Sequence, residues 1–100
     1  MNVIKVEYTV RRDYVKTNKK NIAAVMAELK GKKAPVKYFV SIKEDGKSFV
    51  YIAIYDKKAS NIIPKLKAFK KFREQLNTGI VAPPKSEELK VIDSSFDIFD

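Results

Sequence analysis

Val36 to Asp56 reads VKYFVSIKEDGKSFVYIAIYD, and the way its two halves pair decides the fold. Two runs rich in β-branched and aromatic residues flank Glu44-Asp45-Gly46-Lys47, the composition of a β-hairpin. Strand side chains alternate, so loop length sets which of them share a face. A two-residue loop, Asp45-Gly46, pairs position 42 with 49 and groups Tyr38, Val40 and Ile42 with Phe49, Tyr51 and Tyr55. A three-residue loop, Glu44-Asp45-Gly46, with Gly46 left-handed in a bulge, pairs 42 with 48. Val36, Tyr38, Val40 and Ile42 then join Val50, Ile52 and Ile54 on one aliphatic face. The other face carries Lys37, Phe39, Ser41, Phe49, Tyr51, Ala53 and Tyr55. The second register is the expected one, because it separates an aliphatic core face from a mixed aromatic and polar face. Left in water, Phe39, Phe49, Tyr51 and Tyr55 would form a large apolar patch, and such patches mark interfaces. These four are the candidate dimer-interface residues.

Outward from the hairpin, the chain reads as a single domain over residues 1–100. Asn2 to Arg12 alternates, with Ile4, Val6, Tyr8 and Val10 on one side, as in a half-buried strand. Asp13 to Thr17 is a connector, and Thr17 or Asn18 is the expected helix cap. Ile22, Val25, Met26 and Leu29 then form one apolar helical stripe, stopped by Gly31. Lys30 to Pro35 is a basic turn. Asp56 to Ser60 leads into a second helix beginning between Asn61 and Pro64, since proline is tolerated only near a helix start. Its buried stripe is Ile62, Leu66, Phe69, Phe72 and Leu76, stopped by Asn77-Thr78-Gly79. Ile80 to Glu87, with Pro83-Pro84, reads as an irregular connector, and Leu89 to Phe96 as the last strand.

The order is β-α-β-β-α-β, an α+β, ferredoxin-like arrangement. A four-stranded antiparallel sheet carries both helices on one face. The helix stripes with Ile4, Val6, Val40, Val50 and Ile52 are the expected core, and the opposite sheet face is bare. A chain of this size buries only a marginal core, so association would stabilise it.

Composition excludes several chemistries. The 45% hydrophobic content is that of a globular chain. There is no cysteine and no histidine, which removes disulfides, thiolate chemistry, the commonest metal ligand and the commonest general base. The three glycines all fall at turns, so there is no phosphate-binding loop. Glu87-Glu88 and Asp97/Asp100 read as solvated rather than as catalytic carboxylates. No long apolar run follows Met1, so the expectation is a cytoplasmic protein without a membrane span. The net charge of +9 comes mostly from dispersed lysines, read as a solvated surface. An RNA-recognition reading would need stacking aromatics in Asp45 to Ile52. Gly46, Phe49 and Val50 match that pattern, but Asp45 stands where a basic residue belongs, and Lys47 and Ile52 replace aromatics. Nucleic acid is therefore not an expected partner. Tyr8, Tyr38, Phe69 and Phe72 are the candidate ligand-cavity residues, with two phenol groups able to donate, accept or titrate beneath the helices.

Taken together, Tyr38-Phe39-Val40 with Asp45-Gly46-Lys47-Ser48-Phe49-Val50, the Leu66-Lys67-Ala68-Phe69-Lys70-Lys71-Phe72 helix and Pro83-Pro84 resemble the dimeric α+β barrel superfamily. That superfamily includes antibiotic-biosynthesis monooxygenase-like proteins, and the resemblance covers roughly Val6 to Phe96. It implies a homodimer in which two sheets pack face to face into a barrel. It also implies a helix-side site for a small apolar or aromatic ligand, with at most cofactor-independent monooxygenase-like chemistry and no cofactor. Haem-binding members use a histidine, and this chain has none. Oxygenase-like members often use Asn, Trp, His or Arg in the helix-side cavity; Asn18 and Arg11 remain here, without alignment to a catalytic position. RNA binding through the bare sheet and a non-catalytic regulatory dimer are the alternatives.

Overall fold

A computed structural model describes residues 1–56 and 62–99. Strand β1 (Asn2–Val10) runs through a short 3-10 turn (Arg12–Tyr14) into helix α1 (Val15–Lys30). The hairpin follows as β2 (Val36–Ile42) and β3 (Ser48–Tyr55). Helices α2 (Ile62–Lys65) and α3 (Lys67–Leu76) precede β4 (Ile80–Lys90). The sheet is antiparallel in the order β2-β3-β1-β4, the ferredoxin-like topology expected for βαββαβ. The lead-in expected at Asp56 to Ser60 and the earliest expected helix start, Asn61, lie largely outside the described residues.

The hairpin register departs from expectation. Ile42 pairs with Phe49 and Val36 with Tyr55, so position 42 does not meet 48. The cause is a four-residue loop, Glu44 to Lys47, which has the same parity as a two-residue one. Lys43 N–H donates to the Ser48 carbonyl at 2.8 Å, and Gly46 N–H returns to the Lys43 carbonyl at 3.0 Å with Gly46 at φ 72°. Asp45 holds this loop together. Its carboxylate accepts from the Lys47 amide at 2.9 Å, the Ser48 amide at 2.8 Å and the Ser48 hydroxyl. The hydroxyl and then the two amides hold the Asp45 carboxyl down at about 2.

Every hairpin side chain is thereby assigned to a face. Phe49, Tyr51, Ala53 and Tyr55 turn toward the helices with Val36, Tyr38, Val40 and Ile42. Phe49 is only 2% exposed. Val50 and Ile52, expected in the core, lie on the open face beside Phe39. The core is built from Val6, Tyr8 and Val10 of β1, Phe49 and Ala53 of β3, Val25 and Leu29 of α1, and Leu66, Phe69, Phe72 and Leu76. The helix stripes are thus the ones read from their period.

Two other expectations are corrected. Neither Thr17 nor Asn18 is the cap: α1 begins at Val15 out of the 3-10 turn, Thr17 lies within its first turn, and Asn18 is fully buried. The last strand is Ile80–Lys90, not Leu89 to Phe96. Prolines are tolerated there because β4 is an edge strand, where a missing N–H costs no ladder bond. The register against β1 shifts twice between Glu7 and Val10, and Pro83-Pro84 sit at the first shift.

Helix α3 borrows its N-terminal cap from α1. Leu66 is extended, and the Glu28 carboxylate accepts from the Ala68 amide at 2.8 Å and the Lys67 amide at 3.2 Å. Those amides hold the Glu28 carboxyl below the usual range. At the other end, a Cβ on Gly79 would stand 2.2 Å from the Tyr14 ring, so the chain passes Tyr14 only because residue 79 has no side chain.

Replacing Asp45 by alanine removes all three acceptor contacts and is expected to lower Tm by a few degrees at neutral pH. Because the folded carboxyl titrates at about 2, below its unfolded value of about 4, its contribution is complete above the latter. That contribution is lost as pH falls between the two values. Thermal melts of both proteins from pH 7 to pH 2 should therefore converge at the acid end; a gap that persists there excludes this role for the carboxylate.

Candidate functional site

The helix side of the sheet holds a buried polar cluster. Tyr8 is carried on β1 and Asn18 on α1, and the Asn18 side-chain amide donates to the Tyr8 hydroxyl at 2.9 Å. Both are buried, Asn18 completely. Tyr14 is buried at the start of α1. Asn18 Oδ1 and the Tyr14 hydroxyl have no hydrogen-bond partner among the described residues. Buried polar atoms without partners are uncommon and costly, about 1–3 kcal/mol each. The interior therefore has more hydrogen-bonding capacity than its own side chains use.

The Tyr8, Tyr38 and Tyr51 phenols hold their protons more tightly than a free tyrosine does. Burial pushes the Tyr8 phenol up to about 12, opposed by the Asn18 hydrogen bond, with Tyr14 and Tyr51 near enough to add to the rise. Tyr38 is raised too, chiefly by burial, as is Tyr51. Near neutral pH the site offers phenol O–H and amide groups for hydrogen bonding, and Tyr8 cannot serve as a base there.

The expected ring cavity is filled by the rings themselves. Tyr8 meets Phe72 edge-on at 6.2 Å and stacks on Phe49 at 5.6 Å, while Phe69 stacks on Phe72 at 5.8 Å. Tyr38 turns edge-on to Tyr51 at 5.3 Å. Among the described residues, the most enclosed space lies under α2 and α3. It is lined by Ile4, Tyr51, Ala53, Tyr55, Ile63 and Phe69, and its volume is about 60 Å³. Of the four cavity candidates, only Phe69 lines it; Tyr51 and Tyr55, expected at an interface, do so instead. An apolar cavity that admits benzene is about 150 Å³. This one is smaller than a ring.

The opposite sheet face is open. Cross-strand rows run Phe39–Ile52–Lys5–Glu87, Lys37–Ile54–Val3–Leu89 and Ser41–Val50–Glu7–Lys85. Val3, Phe39, Val50, Ile52, Ile54 and Leu89 make it apolar, with Phe39 47% and Leu89 41% exposed. An ion pair between Lys43 and Glu7 at 2.8 Å borders this patch. Of the four interface candidates, only Phe39 is here. Among the described residues Phe39 is the hairpin ring on this face, and Lys37 Nζ lies 5.9 Å from the centre of the Phe99 ring of the C-terminal segment. The aliphatic row Val50-Ile52-Ile54, expected on the core face, lies on the open one because its side depends on loop parity. Among the described residues, no cluster of His, Cys, Asp or Glu could hold a metal, and no helix is long and apolar enough to cross a membrane.

No family model matches the chain, and no curated protein matches it in sequence. Solved structures match it closely in shape. An antibiotic biosynthesis monooxygenase superposes with a TM-score of 0.81 at 10% identity, over 93% of this chain and 100% of that one. Rv0793 from Mycobacterium tuberculosis gives 0.81 at 14% identity, over 95% and 98%. SnoaB, a cofactor-independent oxygenase from Streptomyces nogalater, gives 0.74 at 14% identity, over 96% and 97%. The fold is that of the antibiotic biosynthesis monooxygenase-like proteins. At these identities the likeness is one of fold, and the activity has to be argued from the residues.

The Asn18–Tyr8 pair supplies a test of the interior. Asn18→Ala leaves the buried Tyr8 hydroxyl without its donor and is expected to cost about 1–3 kcal/mol. Adding Tyr8→Phe should recover part of that loss in urea unfolding, a coupling of at least about 0.5 kcal/mol. Additive losses would show that the two groups do not interact.

Proposed function

We propose that the chain works as a homodimer in which two open sheet faces pack into an α+β barrel. The observation that carries this is the apolar patch of Val3, Phe39, Val50, Ile52, Ile54 and Leu89 on the side of the sheet away from its helices. A second copy would cover it, and the two-sided sheet supports that reading as directly as the shared fold does. Phe39→Asp is the informative change. Its ring is already 47% exposed, so the monomer tolerates a carboxylate there, whereas a dimer would bury the charge unpaired. Light scattering should give twice the chain mass for the wild type and the single chain mass for Phe39→Asp. A monomeric wild type, or a dimeric variant, overturns the interface. Phe49→Asp is uninformative because Phe49 lies in the core.

The second part of the proposal is that the space beneath α2 takes a small apolar or aromatic ligand, with monooxygenase-like chemistry that needs no cofactor. The fold shared with a cofactor-independent oxygenase favours this. The resident cavity is smaller than a ring, so a ring enters only if α2 lifts. That helix is a single turn, tied to α3 by the extended Leu66, and Ile63 is its plug. Such a reaction draws its electrons from the substrate. A ring carbon bearing two hydrogens becomes a carbonyl, keeping one atom of O2, and the other atom leaves as water with both hydrogens. With a quinol-type substrate in the tautomer that carries such a carbon, the wild type should consume oxygen above the uncatalysed background without added cofactor. Ile63→Ala, which removes the plug, should raise that rate severalfold. Background rates for both proteins would leave a non-catalytic dimer as the reading.

A further inference from the structure

The sequence disperses its lysines along the chain, but the fold collects them. Residues 14–33 and 62–76, which form the helix layer, carry eleven of the 21 basic residues and only two of the 12 acidic ones. That balance of +9 equals the net charge of the entire chain; the rest of the chain carries ten of each sign. All eleven cationic side chains are exposed, and among the described residues none is in an ion pair. Of the two carboxylates, Glu28 is tied to the amides that begin α3. The helix layer is therefore strongly cationic, while the rest of the sequence is balanced in charge.

We infer that the outer face of α1 and α3 binds the phosphate backbone of double-stranded nucleic acid, through Lys16, Lys19 and Lys20 on one helix and Lys67, Lys70 and Lys71 on the other. The helix layer shows no large exposed apolar side chain; those that are exposed (Phe39, Ile42, Val81, Leu89, Ile92 and Phe96 among them) lie on the strands and the C-terminal segment. The surface has nothing to insert into a bilayer. It has no aromatic ring on which an unpaired base could stack. What it offers is an array of ammonium groups interspersed with the small, exposed Ala23, Ala24 and Ala27, which allow close approach. Backbone phosphates are the partner such an array fits, without sequence preference. Helix α1, with 16 residues, is about 24 Å long at 1.5 Å per residue and matches roughly seven base-pair steps of a duplex. The site is on the far side of the helices from the proposed dimer face, so it does not depend on dimerisation or on catalysis.

The test is fluorescence anisotropy with a labelled duplex of about 20 base pairs of arbitrary sequence, titrated with the full chain between about 20 and about 200 mM salt. If about five phosphates are engaged, log affinity should fall against log salt with a slope of about −4 to −5. Lys19→Glu/Lys20→Glu, and separately Lys70→Glu/Lys71→Glu, should each weaken binding at least about tenfold. The charge-matched control Lys47→Glu/Lys90→Glu, in the hairpin loop and on β4, should change it less than about twofold. Equal losses in all three pairs would mean that net charge alone, and not this face, is responsible. No binding at the lowest salt, tighter binding to the single strand, or binding to phosphatidylserine-containing vesicles in preference to the duplex would each overturn the assignment.

Discussion

The structure depends on a carboxylate in a surface turn. Asp45 accepts hydrogen bonds from both amides at the end of the loop and from the Ser48 hydroxyl, which makes the connection four residues long. Loop parity then propagates through the sheet, because neighbouring side chains point to opposite faces. With Ile42 opposite Phe49, the aromatic half of the hairpin goes beneath the helices and the aliphatic half remains open. Tyr8 stacks on Phe49 only in this register. Both the polar interior around Asn18 and the apolar open face follow from the same turn.

What could be read from the sequence was whatever rests on local periodicity. The stripe of Val25 and Leu29, the stripe from Leu66 to Leu76, the alternation of β1 and the order of elements are each determined within a few residues of themselves. The rest depends on contacts the chain makes later. Asp-Gly in the hairpin suggested a short loop, but the Asp45-to-Ser48 bonds that lengthen it are not a periodic signal. Asn18 has the composition of a cap, yet a partner on β1, Tyr8, draws it into the core. Pro83-Pro84 argue against a strand unless the strand is known to be at an edge, and only the assembled sheet supplies that. Tyr8, Tyr38, Phe69 and Phe72 lie on the helix side, as their periodicity predicts. Phe49, Tyr51 and Tyr55 lie there too, and not on the open face, because the loop is one residue longer than expected.

The two surfaces of the domain are chemically distinct. On the sheet side, charges alternate in sign between Lys5, Glu7, Lys85 and Glu87 around an aliphatic centre. Such a face meets a copy of itself without a large repulsive field, since self-association brings equal numbers of both signs together. On the helix side, lysines dominate, and stacking two helix layers would place like charges together. Charge thus favours association through the sheet and keeps the helices outward, the arrangement in which a cationic face stays accessible.

The interior sets the terms for any chemistry. A general base working near neutral pH needs a group that titrates there, and the chain has no histidine or cysteine to supply one. Burial removes the phenols from that role, with Tyr8 held at about 12 and Tyr38 pushed further up. The carboxylates with lowered values, Glu7, Glu28 and Asp45, are at the surface and committed to Lys43, the α3 amides and the hairpin turn. In the proposed reaction, proton removal would rest on the substrate's own acidity, assisted by hydrogen bonds that stabilise the anion it forms. Amide and phenol groups in a water-poor interior are suited to that task, because their dipoles are already fixed before charge develops. A substrate whose proton is hard to remove would find no help here, whereas one already close to its enolate would need only to be bound and oriented.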